Sequence, residues 1–119
     1  MEYWGYHLIL DCKNGALEQV KSVDNIKRFV EVLVKEIDMV ASGEPTIKRF
    51  ATHNEDAAGY SLVQLIETSS ITGHFVDKNG DCYIDIFSCK SFDIETAKSV
   101  VNKYFSPKQI KVTYLTRQA

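Results

Sequence analysis

Four short strand-like runs follow one another between positions 46 and 89, the first of them alternating apolar and polar residues, and they constrain the fold more than any other feature. Residues 46–52 form the first run, 60–67 the second, 71–76 the third and 82–89 the fourth. The polar, glycine-ended stretch 53–59 reads as a loop. Between the last two runs, Asn79-Gly80 is the dipeptide of a tight hairpin. Successive hairpin-linked strands favour an antiparallel sheet.

The flanks supply the second layer. A strand over 6–12, ended by Asn14-Gly15, comes first. Ser22 or Asp24 then caps a helix in which Ile26, Phe29, Val30, Leu33, Ile37 and Val40 recur at helical spacing, with Gly43 as its C-terminal stop and Pro45 just beyond. After the fourth run, Ser91 or Asp93 caps a second helix with Ile94, Ala97, Val100, Val101 and Tyr104 on one face. Ser106-Pro107 stops that helix, and 110–115 is a last strand. The order β-α-β-β-β-β-α-β predicts an α+β fold: a two-layer α/β sandwich, with both helices on one face of an antiparallel sheet and the other face exposed or meeting a partner.

A chain of 119 residues reads as a single domain over residues 1–119, large enough to bury a core without staples. Its net charge of -2, with mixed signs, leaves no basic footprint for nucleic acid. No apolar run approaches the length of a membrane span, and Met1-Glu2-Tyr3-Trp4 lacks the basic start of a signal peptide. Three cysteines, Cys12, Cys82 and Cys89, without a CxxC pair, argue for a reducing compartment and against a disulfide framework or a zinc site. A cytoplasmic protein without a metal is the expectation.

Candidate chemistry gathers in 60–75 and at Cys89. The second strand run carries Ser61 near its start and delivers the chain into Thr68, Ser69, Ser70 and Thr72; His74 follows, and Cys89 ends the fourth run. Hydroxyl, imidazole and thiol on adjacent strands are parts of a nucleophilic site, although each residue also suits an ordinary strand. Asp77-x-Asn79-Gly80-Asp81 partly matches a calcium loop, but Gly80 stands fourth rather than sixth, and Ser88 stands where the bidentate Glu belongs, so a hairpin turn is the better reading. His7 and His53 read as a strand residue and a solvated loop residue.

The spacings carry a resemblance. Ser61 precedes Ser69 by eight positions, His74 follows Ser69 by five, and Cys89 follows His74 by fifteen. With Gly5-x-His7-Leu8, Gly59-x-Ser61 and Ile84-Asp85-Ile86-Phe87-Ser88-Cys89, this pattern resembles the S-adenosylmethionine decarboxylase family in its short bacterial form, over essentially the whole chain. The resemblance implies a pyruvoyl enzyme of polyamine synthesis, made by self-cleavage between Thr68 and Ser69 into a β chain 1–68 and an α chain 69–119. Ser69 would attack the Thr68 carbonyl and become the pyruvoyl group, the only cofactor. That group would form a Schiff base with the small-molecule substrate. His74 would serve as processing base, Ser61 would hold the ester intermediate, and Cys89 would be the proton donor in decarboxylation. Phe50 falls where the family keeps an aromatic that stacks on adenine, and a homodimer of such protomers is implied.

Departures from the pattern flank these residues. The family reads Glu-Ser-His at the cleavage point, where this chain has Thr68-Ser69-Ser70. It reads Thr-Trp-Pro-Glu after the His, where this chain has Phe75-Val76-Asp77-Lys78, so Lys78 stands in the place of the ribose-binding Glu. Near the C-terminus Arg117-Gln118 replaces a familiar Arg-Gly. Two other readings therefore accompany the first: a pyruvoyl decarboxylase of another amino acid, arginine or ornithine, and an unprocessed, catalytically silent homologue that binds and regulates a partner.

Overall fold

A computed structural model describes residues 2–119. Six strands, β1 (Gly5–Lys13), β2 (Thr46–Phe50), β3 (Gly59–Ile66), β4 (Ser69–Val76), β5 (Cys82–Ser88) and β6 (Gln109–Arg117), form one sheet in the order β2-β3-β4-β5-β1-β6. Every neighbouring pair is antiparallel. The helices are α1 (Leu17–Val20), α2 (Val23–Glu36) and α3 (Ile94–Phe105).

Alternation along the strands decides which face the helices cover. Leu8, Leu10 and Cys12 of β1, Leu62 and Ile66 of β3, Ile71 and Phe75 of β4, and Ile84 and Ile86 of β5 are buried. They meet Ile26, Phe29, Val30 and Leu33 of α2 and Ala97, Val101 and Phe105 of α3. Phe105 joins the layers, its ring 4.7 Å from Phe29 and 4.9 Å from Phe75. Each of the Leu, Ile, Val and Phe side chains among them contributes about 1.5–3 kcal/mol through burial. The intervening residues, Ser61, Val63 and Leu65 on β3, Thr72 and His74 on β4, and Tyr83, Asp85 and Phe87 on β5, form the opposite face, which no described element covers. The expected two-layer α+β sandwich is thus the observed architecture.

The structure chooses between the offered caps and corrects the helix end and one strand boundary. Ser22 and Asp93 are the caps, accepting from the backbone N–H groups of Asn25 and Thr96 at 3.1 Å each. The first helix stops at Glu36, well before Gly43, because Asp38 turns left-handed (φ 60°) while Met39 N–H reaches back to Val34 O at 2.8 Å. That is a Schellman closure with aspartate in the usual glycine place, and Lys90 Nζ holds it by bonding Asp38 Oδ2 and Asp38 O. Val40, assigned to the helix face, therefore lies past the helix and is exposed. The one-turn helix α1 carries no side-chain cap and is too short to display a period. Lastly, β4 starts at Ser69 rather than 71, since Ile66 pairs with Ser69 and only Glu67 and Thr68 make the turn.

Candidate active site

The β3–β4 register sets Ser61 opposite His74 on the uncovered face. Ser61 Oγ and His74 Nδ1 share a hydrogen bond of 2.9 Å. When the ring proton sits on Nε2, the hydroxyl donates to Nδ1. The Phe50 ring, from the neighbouring β2, lies 6.2 Å from the His74 ring, and Phe50 is 59% exposed. Phe50, Ser61 and His74 form one cluster.

The other cluster surrounds the Thr68–Ser69 peptide. Cys89 N–H donates to Thr68 O at 3.0 Å. Thr68 Oγ1 accepts from Ser88 Oγ at 2.8 Å and donates toward Met39 Sδ at 3.3 Å. Ser88 is fully buried, and its Oγ accepts the Lys90 N–H at 3.0 Å. Thr68 is thereby pinned by its carbonyl and by its side chain. Ser69, half-buried, pairs with Ile66 on one side and Ser88 on the other. Alternation gives the uncovered face to Ser70, Thr72 and His74 and turns Ser69 away from it.

The two clusters sit at opposite ends of β4. Five residues separate Ser69 from His74, about 17 Å along a strand. Ser61 is brought to His74 and Cys89 to Thr68-Ser69, but one chain does not gather all four around a single atom. The expectation that adjacent hairpin strands bring hydroxyl, base and acid together is met only pairwise in this chain.

The remaining polar residues sort clearly. Asp77 pairs with Arg49 at 2.7 Å and Lys78 with Asp56 at 2.5 Å. The Lys78 hydrogen bond holds the exposed Asp56 carboxyl below its ordinary range. Asp77 is thus held by Arg49, and Lys78 is a cation held by Asp56. Asp81 Oδ1 accepts Asn14 N–H, and Asn79 Oδ1 accepts Asp81 N–H, so the loop oxygens are spent on the turn. No group of three or more potential metal-ligating side chains occurs among the described residues. Burial pushes the Cys12 thiol up to about 12, helped by Asp11, and raises Cys82 as well. Cys89 is the half-buried thiol of the three. Among the described residues, no helix is long and apolar enough to cross a membrane.

Two features escaped the sequence. His7 Nε2 lies 2.9 Å from Asp85 Oδ1, because β1–β5 pairing sets the two strands side by side. Trp4 stacks on Phe87 at 6.0 Å, and the Arg117 guanidinium lies over the same ring at 5.3 Å. Both depend on the β5-β1-β6 order, which no local signal encodes.

Comparison with known proteins bears on this arrangement. Residues 6–118 match the family model for S-adenosylmethionine decarboxylase. An S-adenosylmethionine decarboxylase proenzyme of Clostridium botulinum strain Langeland is 26% identical over 118 residues, covering 98% of this chain and 97% of that one. The proenzyme of the Loch Maree strain is 31% identical over 94 residues, 78% of this chain and 76% of its own. The crystal structure of the adenosylmethionine decarboxylase from Aquifex aeolicus superposes with a TM-score of 0.81 at 20% identity, over 100% of this chain and 94% of that one, and so shares the fold.

Proposed function

This chain belongs to the S-adenosylmethionine decarboxylase family of carboxy-lyases, and from that membership we propose that it is a self-cleaving proenzyme that decarboxylates S-adenosylmethionine for spermidine synthesis in the cytoplasm. The observation that carries the reading is the Thr68–Ser69 peptide, presented at a two-residue turn with Cys89 N–H on its carbonyl, inside a family match that spans the chain.

The first step is local. Ser69 Oγ attacks the Thr68 carbonyl carbon, the C–N bond breaks, and Thr68 becomes an ester on Ser69 with a free amine behind it. Negative charge gathers on Thr68 O in the transition state, where Cys89 N–H already donates. A base then removes the Ser69 α-proton, and the Thr68 carboxylate leaves. Water replaces the nitrogen of the resulting dehydroalanine as ammonia, leaving a pyruvoyl group at position 69. His74, oriented by Ser61, is the base.

At about 17 Å along β4, His74 of the same chain does not reach Ser69. We therefore assign this role to the partner's copy in a homodimer packed through the uncovered sheet faces. Support comes from the exposed Val63, Leu65, Tyr83 and Leu115 on that face, an apolar set without a covering element. Sheet-on-sheet stacking would lay Phe50, Ser61 and His74 of one protomer over the start of β4 and Cys89 of the other, and Ser69, turned from that face in the uncleaved chain, would come onto it once the Thr68–Ser69 peptide bond has opened.

Ser69 fits as the pyruvoyl precursor, because β4 begins there and its pairing to Ile66 and Ser88 keeps a new chain end in place. When formed, the group supplies an electron-accepting carbonyl that holds the substrate amine. Cys89, half-buried beside it, returns a proton to the substrate carbon after carbon dioxide departs. Lys78, engaged with Asp56 where the family has a ribose-binding Glu, favours a second reading, in which arginine or ornithine is the substrate. Thr68 in place of Glu favours a silent, uncleaved homologue.

Intact-mass measurement decides among these. Two fragments broken at Thr68–Ser69, the second carrying pyruvoyl, are expected; a persistent 13.5 kDa chain would overturn the enzyme reading. Carbon dioxide release from S-adenosylmethionine against arginine and ornithine then selects the substrate.

A further inference from the structure

We propose that Arg117, laid over the Phe87 ring beside Trp4, is the site that binds the α-carboxylate of the amino-acid substrate. The inference rests on the decarboxylase reading and adds a ligand group to it.

The guanidinium is placed by the sheet. Gly5 pairs with Arg117 across β1–β6, and a Cβ on Gly5 would lie 2.7 Å and 2.9 Å from two Phe87 ring atoms. Glycine is what lets that ring lie across β1. The Arg117 guanidinium then rests 5.3 Å from the ring centroid, and Trp4 stacks on the ring at 6.0 Å with 27° between planes. Trp4 N–H is fixed by Gln118 Oε1 at 3.0 Å. Together with Gln118 and Ala119 these side chains line a hollow of about 340 Å³.

Its charge is unspent. No carboxylate among the described residues pairs with Arg117, whereas Arg49, the other arginine on a strand, is held by Asp77. Asp85, the acidic residue two positions before Phe87, is already met by His7. A planar guanidinium held on an aromatic face keeps its fork free for a carboxylate.

Its position suits the reaction. Phe87 pairs with Ser70, the residue after the pyruvoyl position, and Cys89 lies two residues further along, about 7 Å. A substrate held by its amine at position 69 carries its carboxylate two bonds from that nitrogen, and the Phe87 ring lies one strand over, beside Ser70. The carboxylate is lost as neutral carbon dioxide, so the contact favours the bound substrate over the transition state. Removing it should raise KM without lowering kcat.

The test compares wild type, Arg117→Met and Arg117→Lys as purified dimers, reading cleavage by mass, KM and kcat for whichever α-amino acid wild type decarboxylates, and inhibition by the matching decarboxylated amine. Arg117→Met should cleave as wild type does. Its KM should rise about 10- to 100-fold, as for loss of a hydrogen bond to a charged group, with kcat kept and amine inhibition unchanged. Arg117→Lys should recover part of the KM, and Gly5→Ala, which displaces the ring, should shift KM the same way. A cleaved Arg117→Met enzyme with wild-type KM, or one whose KM and amine inhibition weaken together, overturns the carboxylate site alone. An uncleaved wild type overturns the decarboxylase reading, and this inference with it.

Discussion

Ser61 Oγ lies 2.9 Å from His74 Nδ1, and this pair stands at the end of β4 remote from Ser69. The hairpin turn at Glu67-Thr68 fixes both facts. It sets Ser61 and His74 directly opposite each other and leaves Ser69 at the mouth of the turn. A base so placed serves a site on another molecule better than one on its own.

That geometry predicts complementation between chains. Ser69→Ala should stay full-length, and His74→Ala or Ser61→Ala should cleave about a hundredfold or more slowly, the scale of a lost general base. Co-expressed with Ser69→Ala, the His74→Ala chain should recover cleavage, because the intact imidazole comes from the partner. No recovery in the mixed dimer, read by fragment mass, would return the base to its own chain. Ser70→Ala should still cleave, with the break at the same bond.

Cys89 touches the Thr68 carbonyl through its backbone N–H, which survives substitution. The Cys89→Ala protein should therefore process while its turnover drops about 10²- to 10⁴-fold, as when a positioned proton donor is lost. Normal turnover in the processed variant would remove the thiol from the mechanism.

Ser88 offers a stability test. Its hydroxyl is fully buried, donates to Thr68 Oγ1 at 2.8 Å and accepts the Lys90 N–H. Ser88→Ala leaves both groups short of a partner, and urea denaturation should show a loss of about 1–3 kcal/mol. Measured on an uncleavable Ser69→Ala background, the loss is free of any change in processing.

The thiols give a pH dependence. Cys12 is raised from an ordinary 9.0 to about 12 by burial and then by Asp11. Below pH 9 the thiol is protonated in both folded and unfolded chains, and its contribution to stability is whole. As pH climbs from 9 toward 12 the unfolded chain releases the proton first, so stability drains away. Thermal melts from pH 8 to 11 should fall more steeply for wild type than for Cys12→Ala. A disulfide reagent at pH 8 should label Cys89 well ahead of Cys12 and Cys82.

Much of this protein is written locally. Alternation marked the strands, helical spacing marked α2 and α3, and hydroxyl and carboxylate caps marked their starts, because each signal is carried by residues within a turn or a strand of one another. The spacing of Ser61, Ser69, His74 and Cys89 was legible for the same reason. The end of α2 was not, since Asp38, not a glycine, takes the left-handed place, and its partner Lys90 is 52 positions away.

Tertiary structure decided the rest. Strand order set His7 against Asp85 and carried Arg117 over Phe87, contacts between segments 78 and 30 positions apart whose pairing no local pattern specifies. Register decided which functional groups meet. A strand places residues about 3.3 Å apart along its axis, so five positions that look adjacent in sequence become a distance no side chain spans. The sequence by itself determined the elements, their caps and the residue types available for chemistry. Pairing across the sheet alone decided that Ser61 meets His74, that Cys89 holds Thr68, and that the two pairs stand at opposite ends of β4.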